Sequence, residues 1–188
     1  PEAFNLLKES PETTHFSVVD KDRNAVSLTY TLEWGYGSGI VVPGAGFLLN
    51  NEMGDFNAGP GLTNDQGLIG TPANLAEPGK RMLSSMTPTI LAKDGKLFMV
   101  TGTPGGRTII NTVLQTILNV VDHGMNAQAA VDAGRIHHQW MPDVLSYEAQ
   151  GFSPDTLKAL EARGHALNQK VNQGAAEVIV NNVEAGVL

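Results

Sequence analysis

Thr13 and Thr14 open an extended stretch, Thr13-Thr14-His15-Phe16-Ser17-Val18-Val19-Asp20, and far along the chain comes Thr103-Pro104-Gly105-Gly106. A threonine hydroxyl is a poor nucleophile at neutral pH and needs a base within hydrogen-bond reach. A threonine at a chain start carries its own base, because a free α-amino group has a pKa of roughly 7.7–8 and can take the proton directly or through water. Thr13 is thirteenth, so this chemistry requires hydrolysis of the Glu12–Thr13 bond. The glycine pair offers the complementary part: without a Cβ in the way, its backbone N–H groups can approach a developing oxyanion closely. Read together, these residues have the pattern of an enzyme that cuts itself to expose a catalytic threonine. Read singly, a Thr-Thr pair is ordinary strand composition and Pro-Gly-Gly is a turn. His137-His138 invites a metal, but adjacent histidines diverge in a strand or loop, and no further ligand stands at suitable spacing.

The elements that must position these groups are legible as periodicities. Phe16 to Val19, a charged turn through Asp20-Lys21-Asp22-Arg23-Asn24, and the alternation of Ala25 to Leu32 predict an antiparallel hairpin that brings Thr13 near Thr31. Phe16, Tyr30 and Met86 are expected in the core. Gly35 to Gly39 and Pro43 to Gly46 punctuate a short strand, and Asn57 to Lys80 reads as one long functional loop. Asp94-Gly95 between two apolar runs is a hairpin signal. Beyond Gly106, Ile109, Ile110, Val113, Leu114, Ile117, Leu118 and Val121 predict a well-buried helix stopping near Gly124. Asn126 to Ala133 reads as a second helix. Ser153-Pro154 supplies the N-cap and first-turn proline of a third, ending at Gly164. Val178-Ile179-Val180 begins a strand turned through Asn181-Asn182, with Gly186-Val187-Leu188 as the stub of its partner. Strands in two groups around a helical group predict an α+β fold, antiparallel sheet covered by helices.

Composition narrows the partners. The 188 residues are 41% hydrophobic, enough to furnish a core, and the net charge of −7 with scattered basic residues argues against a nucleic-acid partner. No apolar run approaches the roughly 18 residues that cross a bilayer. The start, Pro1-Glu2-Ala3-Phe4-Asn5, lacks the basic-then-apolar order of a signal peptide. Zero cysteines exclude disulfides and thiolate chemistry.

The Thr13-to-Thr31 strand pair, Leu48-Leu49-Asn50-Asn51-Glu52-Met53-Gly54-Asp55-Phe56, Leu83-Ser84-Ser85-Met86-Thr87-Pro88 and Arg135-Ile136-His137-His138-Gln139-Trp140 resemble the small subunit of gamma-glutamyltransferases (gamma-glutamyl transpeptidases). The resemblance runs from about Thr13 to the C-terminus. It implies the four-layer αββα sandwich of the N-terminal-nucleophile hydrolases, with residues 1–12 ending a large-subunit segment and 13–188 forming a C-terminally incomplete small-subunit catalytic region. It implies autocatalytic cleavage before Thr13, which becomes the nucleophile, with Thr31 holding its rotamer and Gly105 and Gly106 forming the oxyanion hole. Ser84 and Ser85 would bind the substrate α-carboxylate, helped by an arginine of the large subunit. Glu52 and Asp55 would bind its α-ammonium, the opposite side of the same clamp. The implied substrates are glutathione and other γ-glutamyl compounds, with an amino acid or water as acceptor and no cofactor or metal. A tight large-subunit partner, uncovered apolar faces in the isolated chain and a periplasmic or extracellular location belong to the same expectation.

Two positions depart from the family pattern. Glu33, followed by the bulky Trp34, stands where asparagine is usual, and Gly54 replaces a frequent aspartate. Ionised glutamate only accepts hydrogen bonds and adds negative charge, so Glu33 could share in holding the ammonium, or the pocket could suit another acyl group, as in the related cephalosporin acylases and capsule-processing enzymes. A non-catalytic, uncleaved homologue is the reading from a different class.

Overall fold

A computed structural model describes residues 13–57, 59 and 70–181. The lead-in before Thr13, the middle of the long loop and the partner strand expected at 186–188 lie outside the described residues.

Strand β1 (Thr13–Val19) pairs antiparallel with β2 (Ala25–Thr31) along its whole length, and the register sets Thr13 opposite Thr31, as the alternation predicts. The turn between them is tied by the Asp20 carboxylate, which accepts from the backbone of Asp22 and Asn24 and from the Asn24 side chain. Those Asn24 bonds hold the Asp20 carboxyl below the usual carboxylate range.

Because side chains alternate along a strand, the register also fixes the faces, and it inverts the usual assignment. The inward row carries Thr13, His15, Ser17, Ser27, Thr29 and Thr31, while Phe16, Val18, Val26, Leu28 and Tyr30 point outward and are exposed. Phe16 and Tyr30 are therefore not core residues. Putting the threonines on the face that meets the rest of the chain forces their apolar neighbours onto the other. The polar inward face is satisfied by hydrogen bonds. His15 Nδ1 lies 2.7 Å from Thr29 Oγ1, its Nε2 lies 3.1 Å from Ser17 Oγ, and Ser27 Oγ donates to the Thr101 carbonyl at 2.9 Å. Burial pushes the His15 pKa down, which keeps the ring neutral.

Behind this hairpin lies a three-stranded antiparallel sheet, with β4 (Lys96–Gly102) between β3 (Thr89–Lys93) and a C-terminal strand (Glu177–Val180). β4 is the most deeply buried strand, with Met99, Val100, Thr101 and Thr103 just beyond it fully enclosed. Gly102 ends it where a Cβ would collide with the His15 ring, so the imidazole occupies the space that a side chain would take. Helix α1 (Thr108–Val121) follows, then α2 (Ala127–Asp132), whose Asn126 cap accepts from the Ala129 N–H at 2.8 Å. Met99, Val120 and Ala130 form the core cluster, packed by Leu91, Phe98, Ile117, Met125, Val178 and Val180.

α1 is buried on one face only. Ile109, Thr112, Val113, Thr116 and Val120 are enclosed, but Ile110, Leu114, Leu118 and Val121 are exposed, so the well-buried helix read from the sequence is half covered. Met86 is also only partly buried and lines a cleft instead of the core.

A third sheet was not anticipated from the sequence. β5 (Ile136–His137) pairs antiparallel with β6 (Leu145–Glu148), which pairs parallel with β7 (Leu167–Lys170). Helix α3 (Pro154–Ala162), capped by Ser153 as expected, makes the crossover that a parallel pair needs. The strand at 177–180 is β8, antiparallel to β4 with Met99 opposite Val180. The fold is α+β, as expected, with one parallel pair among its antiparallel strands.

Candidate active site

A cleft of about 410 Å³ opens where the end of β2, the turn Glu52–Asp55, the segment 83–86, the start of α1 and residues 137–141 meet. Thr13, Thr31, Glu33, Glu52, Asp55, Ser84, Ser85 and Gly106 all border it. Of the site residues singled out in the sequence, Gly105 alone is set back from the lining.

Thr13 and Thr31 face each other at the open end of the hairpin. The Thr31 hydroxyl accepts from the Glu33 N–H at 2.9 Å, and accepting there leaves its own proton to be donated elsewhere. Glu33 has φ 72°, a left-handed conformation that an L-residue holds only when its surroundings impose it. The imposing groups are visible. Asn51 donates its Nδ2 to Glu33 Oε2 at 2.5 Å, accepts from the Trp34 N–H at 3.2 Å and donates its own N–H to the Leu32 carbonyl. Gly54 lies flat against the same carboxylate, and a Cβ there would collide with both Glu33 oxygens. The two departures from the expected pattern are thus one steric fact, because bare backbone at 54 is what leaves room for the carboxylate of 33.

Gly105 and Gly106 join β4 to α1, the position expected for them, with φ of 139° and 59°. The Gly105 carbonyl accepts from Thr108 Oγ1 at 2.8 Å and from the Thr108 N–H, while the Gly106 carbonyl accepts from the Ile109 N–H and from Ser85 Oγ at 2.9 Å. In a trans peptide the N–H lies opposite the carbonyl. Turning the Gly105 carbonyl into the helix therefore turns the Gly106 N–H the other way, at a residue that borders the cleft. Among the described residues neither glycine N–H donates a hydrogen bond.

The remaining residues make an acidic side and a hydroxyl side. Glu52 has its pKa pushed up to about 7, by burial first, then by the Asp55 and Glu33 carboxylates, then by a hydrogen bond with the Asp55 side chain. Its Oε1 is buried without a hydrogen-bond partner. Three acids in one cleft hold more negative charge than the site can comfortably ionise, which is the electrostatic setting for a bound cation. Opposite, Ser84 Oγ accepts from the Met86 N–H at 3.2 Å, and Ser85 Oγ directs its proton to Gly106. Ser84 is accordingly the better placed hydroxyl to donate to an anion.

Two asparagines that hold this arrangement were missed in the sequence. Asn51 lies within the stretch Leu48 to Phe56 that resembles the family, so the pattern did mark its neighbourhood. Asn74 gave no signal, being one polar residue in an aperiodic loop. It is buried, donates its Nδ2 to the Asp55 carbonyl at 2.7 Å and accepts from the Leu83 N–H at 2.9 Å, so one side chain ties the acidic turn to the serine segment. His137 and His138 border the cleft but engage separate partners, Gln139 Oε1 at 2.8 Å and Asp143 Oδ1 at 2.9 Å. Among the described residues no three acidic or histidine side chains converge as a metal ion would require.

The sequence matches the family described as Gamma-glutamyltranspeptidase over residues 2–187. It is 55% identical over 172 residues to the glutathione hydrolase proenzyme of Escherichia coli strain K12, a match covering 92% of this chain and 30% of that protein. Its structure is similar to that of a gamma-glutamyltranspeptidase from Helicobacter pylori, with a TM-score of 0.83 and 50% identity over 89% of this chain and 90% of that one. A more distant likeness, at 29% identity and a TM-score of 0.77, is to a cephalosporin acylase from Bacillus halodurans, covering 92% of this chain and 31% of that one. The chain thus spans about 30% of the length of the curated E. coli relative and nearly the whole of the H. pylori chain.

Proposed function

Because this chain belongs to the gamma-glutamyltranspeptidase family, we propose that it is the catalytic portion of an N-terminal-threonine enzyme that hydrolyses γ-glutamyl amides such as glutathione and transfers their acyl group. The observation that carries the proposal is the convergence of Thr13, Thr31, Gly106, the serine pair and the acidic group on one cleft. Residues 1–12 would end the large-subunit segment and residues from Thr13 on would form the small subunit. Maturation begins with the Thr13 hydroxyl attacking the Glu12 carbonyl; the Glu12–Thr13 C–N bond breaks as the nitrogen takes up the hydroxyl proton, freeing the Thr13 amine, and water then hydrolyses the Glu12 ester to a carboxylate and restores the hydroxyl. The E. coli relative bears the name proenzyme, and the chain covers a far smaller share of that protein than of the H. pylori chain, which supports such a division.

In turnover, Thr13 Oγ attacks the γ-carbonyl and its proton passes to the Thr13 α-amine. The N–H groups of Gly105 and Gly106 stabilise the tetrahedral oxyanion, a contribution worth several kcal/mol (~3) for one such donor. Collapse breaks the amide bond, and the departing amine takes the proton from the α-ammonium. Water or an amino acid then attacks the Thr13 ester. Ser84, Ser85 and a large-subunit arginine hold the substrate α-carboxylate, while Glu52, Asp55 and Glu33 hold its α-ammonium. A periplasmic or extracellular location goes with the family reading. Among the described residues no helix is long and apolar enough to cross a membrane.

Intact mass and N-terminal sequencing of the full-length gene product test the premise. Two chains, the smaller starting at Thr13, are expected, and a Glu12–Thr13 bond intact under all conditions would make this an uncleaved homologue. Glu33 in the cleft and the likeness to an acylase favour one second reading, the same nucleophile with another acyl preference. Rates on γ-glutamyl and glutaryl amides measured side by side separate the two.

A further inference from the structure

The mechanism above makes no use of the most thoroughly enclosed acid among the described residues. Glu148, at the end of β6, has 0% exposure. Its Oε2 accepts from the Arg135 backbone N–H at 3.1 Å and from Arg135 Nε at 2.9 Å, and its Oε1 accepts from the Gln173 N–H at 2.6 Å. A buried charge is expensive unless paired and hydrogen-bonded, and this one is both. What it grips is a loop. Gln173 presents its carbonyl to Thr112 Oγ1 of α1 at 2.7 Å, and the Ala175 N–H donates to Thr103 Oγ1 at 2.9 Å. Between them, Gly174 (φ 93°) lies against the peptide that leads into the glycine pair. A Cβ on Gly174 would stand 2.7 Å from Thr103 Oγ1 and 2.9 Å from the Pro104 carbonyl, and one on Gly105 would stand 3.3 Å from Gly174 Cα.

We propose that Glu148 is a positioning residue for the oxyanion hole, acting through the Gln173-Gly174-Ala175 backbone that backs Gly105. The Pro104 carbonyl lies opposite the Gly105 N–H across one peptide, so whatever fixes that carbonyl aims that donor. Thr103 Oγ1 donates to the Pro104 carbonyl at 2.7 Å while accepting from Ala175, so the link from the loop to the glycine pair runs through contiguous hydrogen bonds. Glu148 touches no substrate; its contribution is that the donor is already aimed when negative charge develops. The inference rests on the oxyanion-hole reading of Gly105 and Gly106.

The test uses the full-length gene product with a γ-glutamyl anilide, in single turnover, following acylation of Thr13 by rapid quench and mass. Glu148→Gln replaces one acceptor oxygen with a donor, so either Gln173 or Arg135 meets a second donor. Gly174→Ala presses on the Pro104 carbonyl without touching the carboxylate. For both variants the first-order acylation constant is expected to fall by about 10- to 100-fold, short of losing a donor outright, with half-saturation within about twofold. That constant does not depend on how much of the sample is folded. A smaller acylation amplitude at an unchanged constant would mark Glu148 as merely structural and overturn the proposal, as would a rise in half-saturation alone. Failure of the unsubstituted enzyme to acylate on Thr13 would take down the functional reading itself, and it is told apart because no substitution is involved.

Discussion

The acidic rim of the cleft and the crossing behind the glycine pair each draw a glutamate away from bulk water, and they treat it in opposite ways. Glu52 keeps some exposure, has two acidic neighbours, has one oxygen without a partner and titrates at about 7. Glu148 is wholly enclosed, and both its oxygens are bonded, one of them to a cation. The first arrangement is left electrostatically incomplete, so a ligand that brings positive charge gains energy by completing it. The second is complete in itself and can only hold neighbouring backbone in place. Burial alone therefore does not separate an acid suited to binding a cation from one suited to holding structure. What separates them is whether the protein supplies the partners.

The sharpest break of that comparison lies between chemistry and framework. Thr13→Ala removes the proposed nucleophile of both maturation and turnover from a residue pair that forms no part of the core, so the Glu12–Thr13 bond should stay intact and γ-glutamyl-anilide turnover should fall about a thousandfold or more while the uncleaved chain still folds. A chain that still cleaved the substrate after this change would remove Thr13 from the mechanism.

Gly54→Ala attacks the rim from beneath. The new Cβ must displace the Glu33 carboxylate. KM for the γ-glutamyl substrate should rise about tenfold, the scale of one displaced charged contact, with kcat much less affected. Combining it with Glu33→Asn, which shortens the side chain, should recover most of the loss. Purely additive effects in this double-mutant cycle would show that the two positions are independent.

Titration of Glu52 gives the next effect. As pH falls from 8 to 6 the carboxyl goes from mostly ionised to mostly neutral, so KM for an ammonium-bearing substrate should rise by up to about tenfold. Glu52→Gln should flatten that dependence. The linked stability has a definite sign. The folded value lies above the ordinary 4.5, so between about 4.5 and about 7 the folded state holds more protons than the unfolded one, and stability declines as pH rises through that window. The gain in melting temperature from Glu52→Gln should accordingly be larger at pH 8 than at pH 5.

The smallest effect belongs to an acid whose partner is open to water. Asp143 is exposed and meets His138 at 2.9 Å, and Asp143→Asn should change unfolding free energy by less than about 1 kcal/mol. A larger loss in a denaturant titration would mean that solvent access has been overrated as the dividing line.

Much of this was legible in the residues themselves. Period-two alternation is a local property, and it gave the β1–β2 hairpin and the facing of Thr13 and Thr31. Capping chemistry is local too, and Ser153 caps the helix that follows it as its residue type predicts. The family pattern marked the residues that gather on the cleft, since such a pattern is carried by residue type and spacing. Other features depend on what lies next to a residue in space. Phe16 and Tyr30 look like core in any strand pattern, and only the packing of the hairpin against β4 turned their face outward. β5, β6 and β7 are too short to show a period, and their pairing is decided by a helix crossover between them. Glu33 and Gly54 looked like two separate departures until the fold laid one against the other. Asn74 and Glu148 are ordinary polar letters in the chain, and both owe their importance to burial beside backbone groups distant in sequence. The sequence by itself determined which groups could do the chemistry, because reactivity belongs to residue type. Which groups are held, exposed or left without a partner was decided only by the tertiary structure, because desolvation and hydrogen-bond supply are properties of the assembled neighbourhood.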